Sequence, residues 1–288
     1  MRLGYACMNT ELKTVFRTAR LAKIENEGNQ KIKELTLQNM RTTYEILKWN
    51  LQHDIYFYRA SSSIIPLATH PINDWIYWED PDFLAIASTI RAFVEKHRMR
   101  ISVHPGQYTV LNSPKAEVVR KSILDLTYHD RLIRLLGGRD IIVHTGGAYG
   151  DKEEAKKRFA ATYLTLPESI REGLRLENDD KTFTVRDVLD IHALCGVPIC
   201  FDIHHHRCNS GGDAVDISEV LATWDGFGIP KIHISSGKEF STDLRHHSLI
   251  TEEDFDELIQ LLAGEDADIM FEAKLKEQSV LPFLNRIK

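Results

Sequence analysis

Eight short stretches rich in apolar and β-branched residues recur along the chain, and helix-length segments separate each stretch from the next. The candidate strands cover residues 2–6, 55–59, 100–104, 140–144, 174–177, 198–202, 231–234 and 268–272. Between them, apolar residues recur with helical spacing, as at Met40, Tyr44, Leu47 and Leu51. Strands that alternate with helices pair in parallel. The pattern therefore predicts an α/β fold, a TIM (β/α)8 barrel.

Chain length and the predicted helix-capping and loop residues agree with a barrel. The 288 residues accommodate eight strand–helix units with little left over, so we predict a single domain over residues 1–288. The alternative is an open doubly wound sheet, but its phosphate-binding sequence G-x-G-x-x-G does not follow the first candidate strand. Capping residues predict helix starts at Asp80-Pro81, Ser113-Pro114, Thr184-x-x-Asp187 and Thr251-x-x-Asp254. Glycine pairs at 146–147 and 211–212 are predicted to lie in loops.

Composition and charge exclude several classes of protein. No apolar run approaches the roughly 20 residues that a membrane span requires, and no signal peptide follows Met1, so we expect a soluble, cytoplasmic protein. The four cysteines show no C-x-x-C spacing and are expected to be core thiols. The net charge of -6 argues against a protein that coats polyanions generically. Any contact with nucleic acid must therefore come from a local site.

Imidazoles and carboxylates gather where the candidate strands end. Residues at or near strand ends, or in the loops that follow, are His70, His104, His144, Glu177, Asp202, His205, His233, His247 and Glu272. The carboxyl ends of barrel strands converge on one face, where active sites of this fold are built. Nine independent core residues would have no reason to choose the same end of successive strands, whereas the ligands of a metal centre must. The sequence therefore predicts a metal centre at the barrel mouth.

The ligand types limit the metal and its number. Imidazole and carboxylate ligands without thiolate suit manganese or zinc in a catalytic role. Because a catalytic ion takes about three protein ligands, nine ligands predict two to three divalent ions, and the ligand types do not choose between Mn²⁺ and Zn²⁺. The loaded pocket would be positive and would attract phosphate.

Lys231 shares a strand face with His233. If it points inward, burial should lower the pKa of its ammonium, and the neutral amine could form a carbamate. The alternative is a solvated lysine at the start of the strand.

Five motifs carry a resemblance to a known family: H-P-G-Q-Y at 104–108, H-T-G-G-A-Y-G at 144–150, L-E-N-D at 176–179, D-I-H-H at 202–205 and E-A-K-L-K-E-Q at 272–278. These motifs resemble those of the UV damage endonucleases, and the likeness runs from Gly4 to Gln278. The resemblance implies a metal-dependent repair nuclease with a TIM barrel, related to endonuclease IV. Such an enzyme nicks DNA immediately 5′ to UV photoproducts and some other lesions.

The resemblance also implies roles for individual residues. The nine residues at the strand ends match the family's metal ligands, with Glu177, Glu272, His233 and Lys231 as catalytic candidates and Lys231 as a modified residue. Gln107 and Tyr108 match the pair that probes damaged DNA, and Tyr5 and Asn9 match residues that line the lesion or the scissile phosphate. The histidine runs 204–206 and 246–247 leave each ligand open to a shift of one residue. The D-x-x-H spacing favours His205, and the following Ser248 favours His247.

A DNA-binding surface is expected around the mouth. Gln107 and Tyr108 follow a Pro-Gly turn, where side chains are exposed and an aromatic ring can stack on a base. Phosphate contacts are expected from Lys13, Arg17, Arg20, Lys23, Arg59, Lys238, Arg245, Lys274 and Lys276. The expected partner is double-stranded DNA with UV lesions, bound by a monomer without a protein partner.

Three other functions stay open at this point. An abasic-site endonuclease of the endonuclease IV type would use the same centre. A metal-dependent sugar isomerase or epimerase also gathers histidines and carboxylates in a barrel, but it has no use for an exposed Gln-Tyr pair. A protein that binds lesions without catalysis would leave the nine candidate ligands unexplained.

Overall fold

The computed structural model describes residues 1–210 and 213–287, so the predicted loop glycines Gly211 and Gly212 lie outside the described residues. Eight parallel strands form a closed barrel in chain order, and β8 completes it by pairing with β1. The strands are β1 (Leu3–Ala6), β2 (Phe57–Ala60), β3 (Arg100–Val103), β4 (Asp140–His144), β5 (Leu174–Glu177), β6 (Ile199–Asp202), β7 (Lys231–Ile234) and β8 (Asp268–Phe271). The predicted TIM barrel is confirmed, and the open sheet is excluded because no edge is left between β8 and β1.

Helices connect successive strands on the outside of the barrel. They are α1 (Leu21–Glu27), α2 (Asn29–Gln52), α3 (Pro81–Lys96), α4 (Ala116–Leu135), α5 (Lys152–Thr165), α6 (Glu168–Gly173), α7 (Val185–Cys195), α8 (Ile203–Ser210), α9 (Ile217–Ala222), α10 (Glu252–Leu262) and α11 (Glu277–Val280). Short 3-10 segments cover Tyr77–Glu79 and Leu281–Arg286. Across the described ranges, no helix has both the length and the apolar character needed to cross a membrane.

The helix starts follow the predicted capping residues in three of four cases. The Asp80 carboxylate accepts hydrogen bonds from the first backbone N–H groups of α3. Thr184 forms a reciprocal capping box at α7, and the Thr251 hydroxyl accepts from the first turn of α10. The fourth prediction was wrong by two residues, because the Ser113 hydroxyl accepts from the Lys115 N–H in a turn that precedes α4.

Charged side chains close the amino-terminal end of the barrel. Arg175 is fully buried, with its Nε 3.1 Å from an oxygen of Asp140 and its guanidinium 4.8 Å from the centroid of the Trp224 ring. Arg100 donates to Asp140 at 2.9 Å and to Asp268 at 3.0 Å. Burial alone would raise the pKa of the Asp140 carboxyl, but Arg100 and Arg175 outweigh it and hold that pKa below its usual value. This end of the barrel is therefore sealed by alternating positive and negative groups.

Replacing Asp140 with asparagine should destabilise the fold, because two buried guanidinium groups would lose their shared counter-ion. Breaking a buried ion pair from one side typically costs about 3–5 kcal/mol. The native pKa of Asp140 is depressed. Its contribution is therefore present above the unfolded pKa of about 3.9 and is lost as the pH falls through the native value. Denaturant unfolding of Asp140→Asn and wild type at pH 7 and at acidic pH measures both effects.

The control is Glu117→Gln, which removes an exposed carboxylate that pairs with Arg120 one helical turn away. Exposed pairs of this kind contribute little. Equal stability of Asp140→Asn and wild type at pH 7 would contradict the role given to this cluster.

Candidate metal centre

Seven of the nine expected ligands converge at the carboxyl end of the barrel: His104, His144, Glu177, Asp202, His205, His233 and Glu272. Glu177, at the end of β5, lies at their centre and is 1% exposed. One of its carboxylate oxygens is 2.9 Å from His104 Nε2 and 3.5 Å from His144 Nε2. The other oxygen is 2.7 Å from His233 Nδ1. Parallel strands in this register bring groups that are distant in sequence onto one carboxylate.

Two groups within this cluster have the geometry of a cation site. His104, His144 and Glu177 offer ligand atoms within 4.8 Å of one another, and so do Glu177, Asp202 and His233. Glu272 extends the second group, because its carboxylate is 3.3 Å from His233 Nδ1. His205 adds an imidazole 3.7 Å from both Glu177 and Asp202. Since Glu177 belongs to both groups, it could bridge two ions.

Several buried polar atoms of the cluster lack a hydrogen-bond partner, which fits a bound cation. Asp202 Oδ2, His144 Nδ1 and His233 Nε2 are each buried without one. Buried polar groups are usually paired, because an unpaired one loses its hydration without compensation. Imidazole nitrogens and carboxylate oxygens without thiolate are the donors that manganese and zinc accept. The residues present therefore fit a divalent metal ion.

Glu177 and His104 have the protonation states that bind metals, whereas Asp202 and Glu177 overcome burial and raise the pKa of the His205 imidazole to about 9. Burial would raise the pKa of the Glu177 carboxyl, but His233, His144 and His104 outweigh it and hold that pKa well below its usual value. Burial lowers the pKa of His104 to about 4, even though Glu177 opposes the shift. Glu177 is therefore ionised and His104 is neutral at pH 7.

Glu272 is paired with a buried arginine from β2. Arg59 Nη1 donates to a Glu272 oxygen, and the Arg59 side chain is only 13% exposed. Burial would raise the pKa of the Glu272 carboxyl, but Arg59 and His233 hold it well below its usual value. Arg59 was expected to contact DNA phosphate. In this structure the Glu272 carboxylate holds the Arg59 guanidinium at the mouth, and contact with DNA phosphate stays a prediction.

His70 and His247 are not joined to the cluster by any hydrogen bond or ion pair among the described residues. Each imidazole instead accepts a backbone N–H two residues later, from Ile72 at 3.1 Å and from Leu249 at 3.1 Å. The neighbouring His246 lines the mouth cavity. His246 likewise has no hydrogen bond or ion pair with the cluster within the described ranges, so the expected choice of His247 over His246 stays a prediction.

Of the three histidines at 204–206, the expected ligand His205 is the one that lies beside Glu177. His205 faces Glu177, whereas His204 Nε2 lies 3.1 Å from the Asp243 carbonyl and His206 Nε2 lies 2.7 Å from the Asp213 carbonyl.

Tyr5 and Asn9, whose contact with DNA stays a prediction, are fully buried in this structure. The Tyr5 hydroxyl donates to Asn50 Oδ1 at 2.6 Å and accepts from Asn9 Nδ2 at 2.9 Å. Tyr5 alternates with residues that face the barrel interior, so its ring packs outward against α2 and against Tyr58. These side chains support the wall of the barrel beneath the first loop.

Lys231 points into the barrel and is fully buried, so the solvated alternative is excluded. Its Nζ donates to Ser102 Oγ at 3.0 Å and lies 5.4 Å from the centroid of the Phe57 ring. Burial lowers the pKa of this ammonium to about 8. Lys231 occupies the layer of the barrel interior directly below His233.

A cavity of about 760 Å³ opens above the cluster. His144 and His205 line its floor, and Gln107 and Tyr108 line its rim, with Tyr108 84% exposed. Tyr149 and His246 also line the cavity, together with two lysines that the sequence did not single out, Lys121 and Lys181. Of the expected phosphate contacts, Lys13, Arg17, Arg20, Lys23, Lys238, Arg245 and Lys274 are exposed and Lys276 is half-buried.

Comparison with known proteins decides the family. A family model described as UV-endonuclease UvdE matches residues 1–288. The chain belongs to the UvdE family. A UV DNA damage endonuclease of Clostridium perfringens (strain 13 / Type A) is 36% identical over 297 residues, which cover 100% of this chain and 71% of that protein. Both the family and the barrel expected from the sequence are thereby confirmed.

Solved structures agree with the UvdE assignment. The crystal structure of SacUVDE matches with a TM-score of 0.91 and 36% identity, and covers 100% of this chain and 99% of that chain. Endonuclease IV from Thermus thermophilus shares the fold, with a TM-score of 0.58, 17% identity and coverage of 84% of this chain and 91% of that chain.

Replacing Glu177 with glutamine should remove most of the bound metal, because this carboxylate is common to both candidate groups. Elemental analysis after dialysis against Mn²⁺, together with calorimetric titration of manganese, measures the loss. Glu117→Gln, on an exposed helix face, is the matched control and should keep wild-type metal content. Full metal content in Glu177→Gln would contradict the assignment of this centre. His70→Ala, tested in parallel, shows whether a residue outside the cluster contributes to metal binding.

Proposed function

We propose that this chain is a metal-dependent DNA-repair endonuclease that nicks the backbone immediately 5′ to UV photoproducts, leaving a 3′ hydroxyl and a 5′ phosphate. Family membership supports an endonuclease that acts on DNA. One observation carries the finer proposal. Two imidazoles of the cluster around Glu177, those of His144 and His205, line a cavity whose rim presents the exposed pair Gln107 and Tyr108. We also propose that residues 1–288 act as one catalytic domain.

The cofactor we propose is a set of two to three divalent ions, with manganese favoured over zinc. His104, His144 and Glu177 would hold one ion, and Glu177, Asp202, His233 and Glu272 would hold another. When bound, such ions polarise a phosphate and lower the pKa of an attacking water. His205 and His246 are the nearest candidates for a third.

The protein's own groups fix the geometry of this centre. His233 Nδ1 lies between Glu177 and Glu272, at 2.7 and 3.3 Å, and aligns the two carboxylates. Arg59 holds Glu272 from the opposite side. Lys231, with its pKa lowered to about 8, is partly neutral near physiological pH, which supports its proposed conversion to a carbamate.

Recognition of damage would take place at the rim. Extruding a damaged base pair costs less than extruding an intact one, so a probe can select lesions without reading sequence. Tyr108 is free to stack on a base, and the Gln107 amide can form hydrogen bonds with an unpaired base edge. Lys121 and Lys181 line the same cavity and add positive charge for the phosphates.

A nicking assay tests the function directly. With Mn²⁺ present, the wild-type protein should nick UV-irradiated plasmid, and Glu177→Ala should reduce nicking by orders of magnitude because the shared carboxylate is lost. Duplexes with a pyrimidine dimer, a (6-4) photoproduct or an abasic site, compared side by side, separate this function from an abasic-site endonuclease. Undiminished nicking by Glu177→Ala would contradict the mechanism. Absence of nicking on every damaged duplex, with turnover of a ketose instead, would favour an epimerase.

Tyr108→Ala should weaken discrimination between damaged and intact DNA while metal content stays unchanged. A lost base–aromatic stack corresponds to about 1–3 kcal/mol, or roughly a tenfold to hundredfold loss of preference. Competition binding with irradiated and intact duplex measures this preference, and elemental analysis provides the metal control. A loss of metal in Tyr108→Ala would show that the residue supports the centre rather than probing DNA.

A further inference from the structure

The loop after β7 forms an ordered hairpin, residues 237–246, that presents an exposed phenyl ring. Gly237 and His246 form an antiparallel bridge, and Lys238 N–H donates to the Arg245 carbonyl at 2.8 Å. Asp243 N–H donates to the Phe240 carbonyl at 2.9 Å and closes the turn. The Phe240 side chain at this turn is 60% exposed.

Buried contacts hold this hairpin in place. The Asp243 carboxylate accepts from the backbone N–H groups of Glu239 and Arg245, at 3.2 and 3.0 Å. The Asp243 carbonyl is 3.1 Å from His204 Nε2, which ties the hairpin to α8. A Cβ at Gly237 would lie 2.0 Å from the Phe240 carbonyl oxygen, so only glycine fits this close approach. These contacts therefore fix the backbone of the hairpin that carries Phe240.

The hydrophobic clusters formed by the described residues do not include Phe240. The ring also makes no ring contact with the residues that the structure describes. An exposed aromatic side chain on a rigid loop is typical of a binding residue.

The position of the hairpin indicates what the ring would contact. β7 and β3 are four strands apart in a closed ring of eight, so their loops rise from opposite sides of the mouth. Leu244 and His246 of the hairpin line the same cavity as Tyr108. A ligand that fills this cavity therefore lies between Tyr108 and the hairpin. Lys238, which is exposed beside Phe240, and Lys274 on the adjacent loop supply positive charge for a phosphate backbone.

We propose that Phe240 is a second base-stacking residue, which contacts a nucleobase of the damaged duplex from the side of the mouth opposite to Tyr108. This inference rests on the proposed nuclease function. Every base offers an aromatic face, so such a contact tolerates any sequence around the lesion. Two aromatic contacts on opposite sides would hold the distorted duplex over the metal centre.

Steady-state nicking of a dimer-containing duplex tests the proposal. Phe240→Ala should raise KM about tenfold, within the range that one base–aromatic stack contributes, and should change kcat less. Phe240→Trp should keep KM within about twofold of wild type, because indole also stacks. Phe240→Leu, which retains apolar bulk without an aromatic face, should resemble the alanine variant. As a second readout, a 2-aminopurine beside the lesion should be quenched by wild type and by Phe240→Trp but less by Phe240→Ala.

The matched control is Leu164→Ala on α5, which removes a side chain that is 54% exposed on the outer helical layer. Its KM should equal that of wild type, and the melting temperatures of all variants should agree. Wild-type nicking together with an unchanged KM and unchanged quenching in Phe240→Ala would overturn this inference alone. Absence of wild-type nicking on every damaged duplex would overturn both this inference and the proposed function.

Discussion

Closure of the sheet between β8 and β1 is the constraint on which the rest of the structure depends. Leu3 pairs with Ile269 and Tyr5 pairs with Phe271, so the eighth strand returns to the first. Closure forces the carboxyl ends of all strands to point at a common axis. Glu177, His233 and Glu272 come from β5, β7 and the end of β8, yet they meet within hydrogen-bond distance. In an open sheet these groups would lie along an edge and could not share a cation.

Charged side chains are matched at the amino-terminal end of the barrel, whereas carboxylates are in excess at the mouth. At the amino-terminal end, Arg100 and Arg175 neutralise Asp140, so these charged groups are matched inside the protein. At the mouth, Glu177, Asp202 and Glu272 outnumber the one buried guanidinium in contact with them, that of Arg59, within the described part of the chain. Unmatched carboxylates beside imidazoles are ligands that could hold external cations. Arginine and carboxylate side chains thus stabilise the amino-terminal end, whereas the excess of carboxylates at the mouth leaves that end able to bind cations.

Much of this arrangement could be predicted from sequence, because strand ends are visible in the apolar pattern and barrel topology then fixes their meeting point. Seven of the nine candidate ligands do meet there. The choice between His246 and His247 stays open, because neither imidazole forms a hydrogen bond or ion pair with the cluster among the residues that the structure describes. The burial of Tyr5 was missed because a four-residue strand does not reveal which of its faces points outward. The pairing of Arg59 with Glu272 was not foreseen, since the two residues are distant in sequence.

The ionic cluster that closes the amino-terminal end limits the route by which a substrate can reach the interior of the barrel. Arg100, Arg175 and Trp224 block that end, and Phe57 and Lys231 fill the layer above them. The residues that the structure describes therefore close the barrel at its amino-terminal end, and the mouth cavity is its open end. Whatever reacts at its floor must arrive and depart by the same route, so a product that lingers excludes the next substrate.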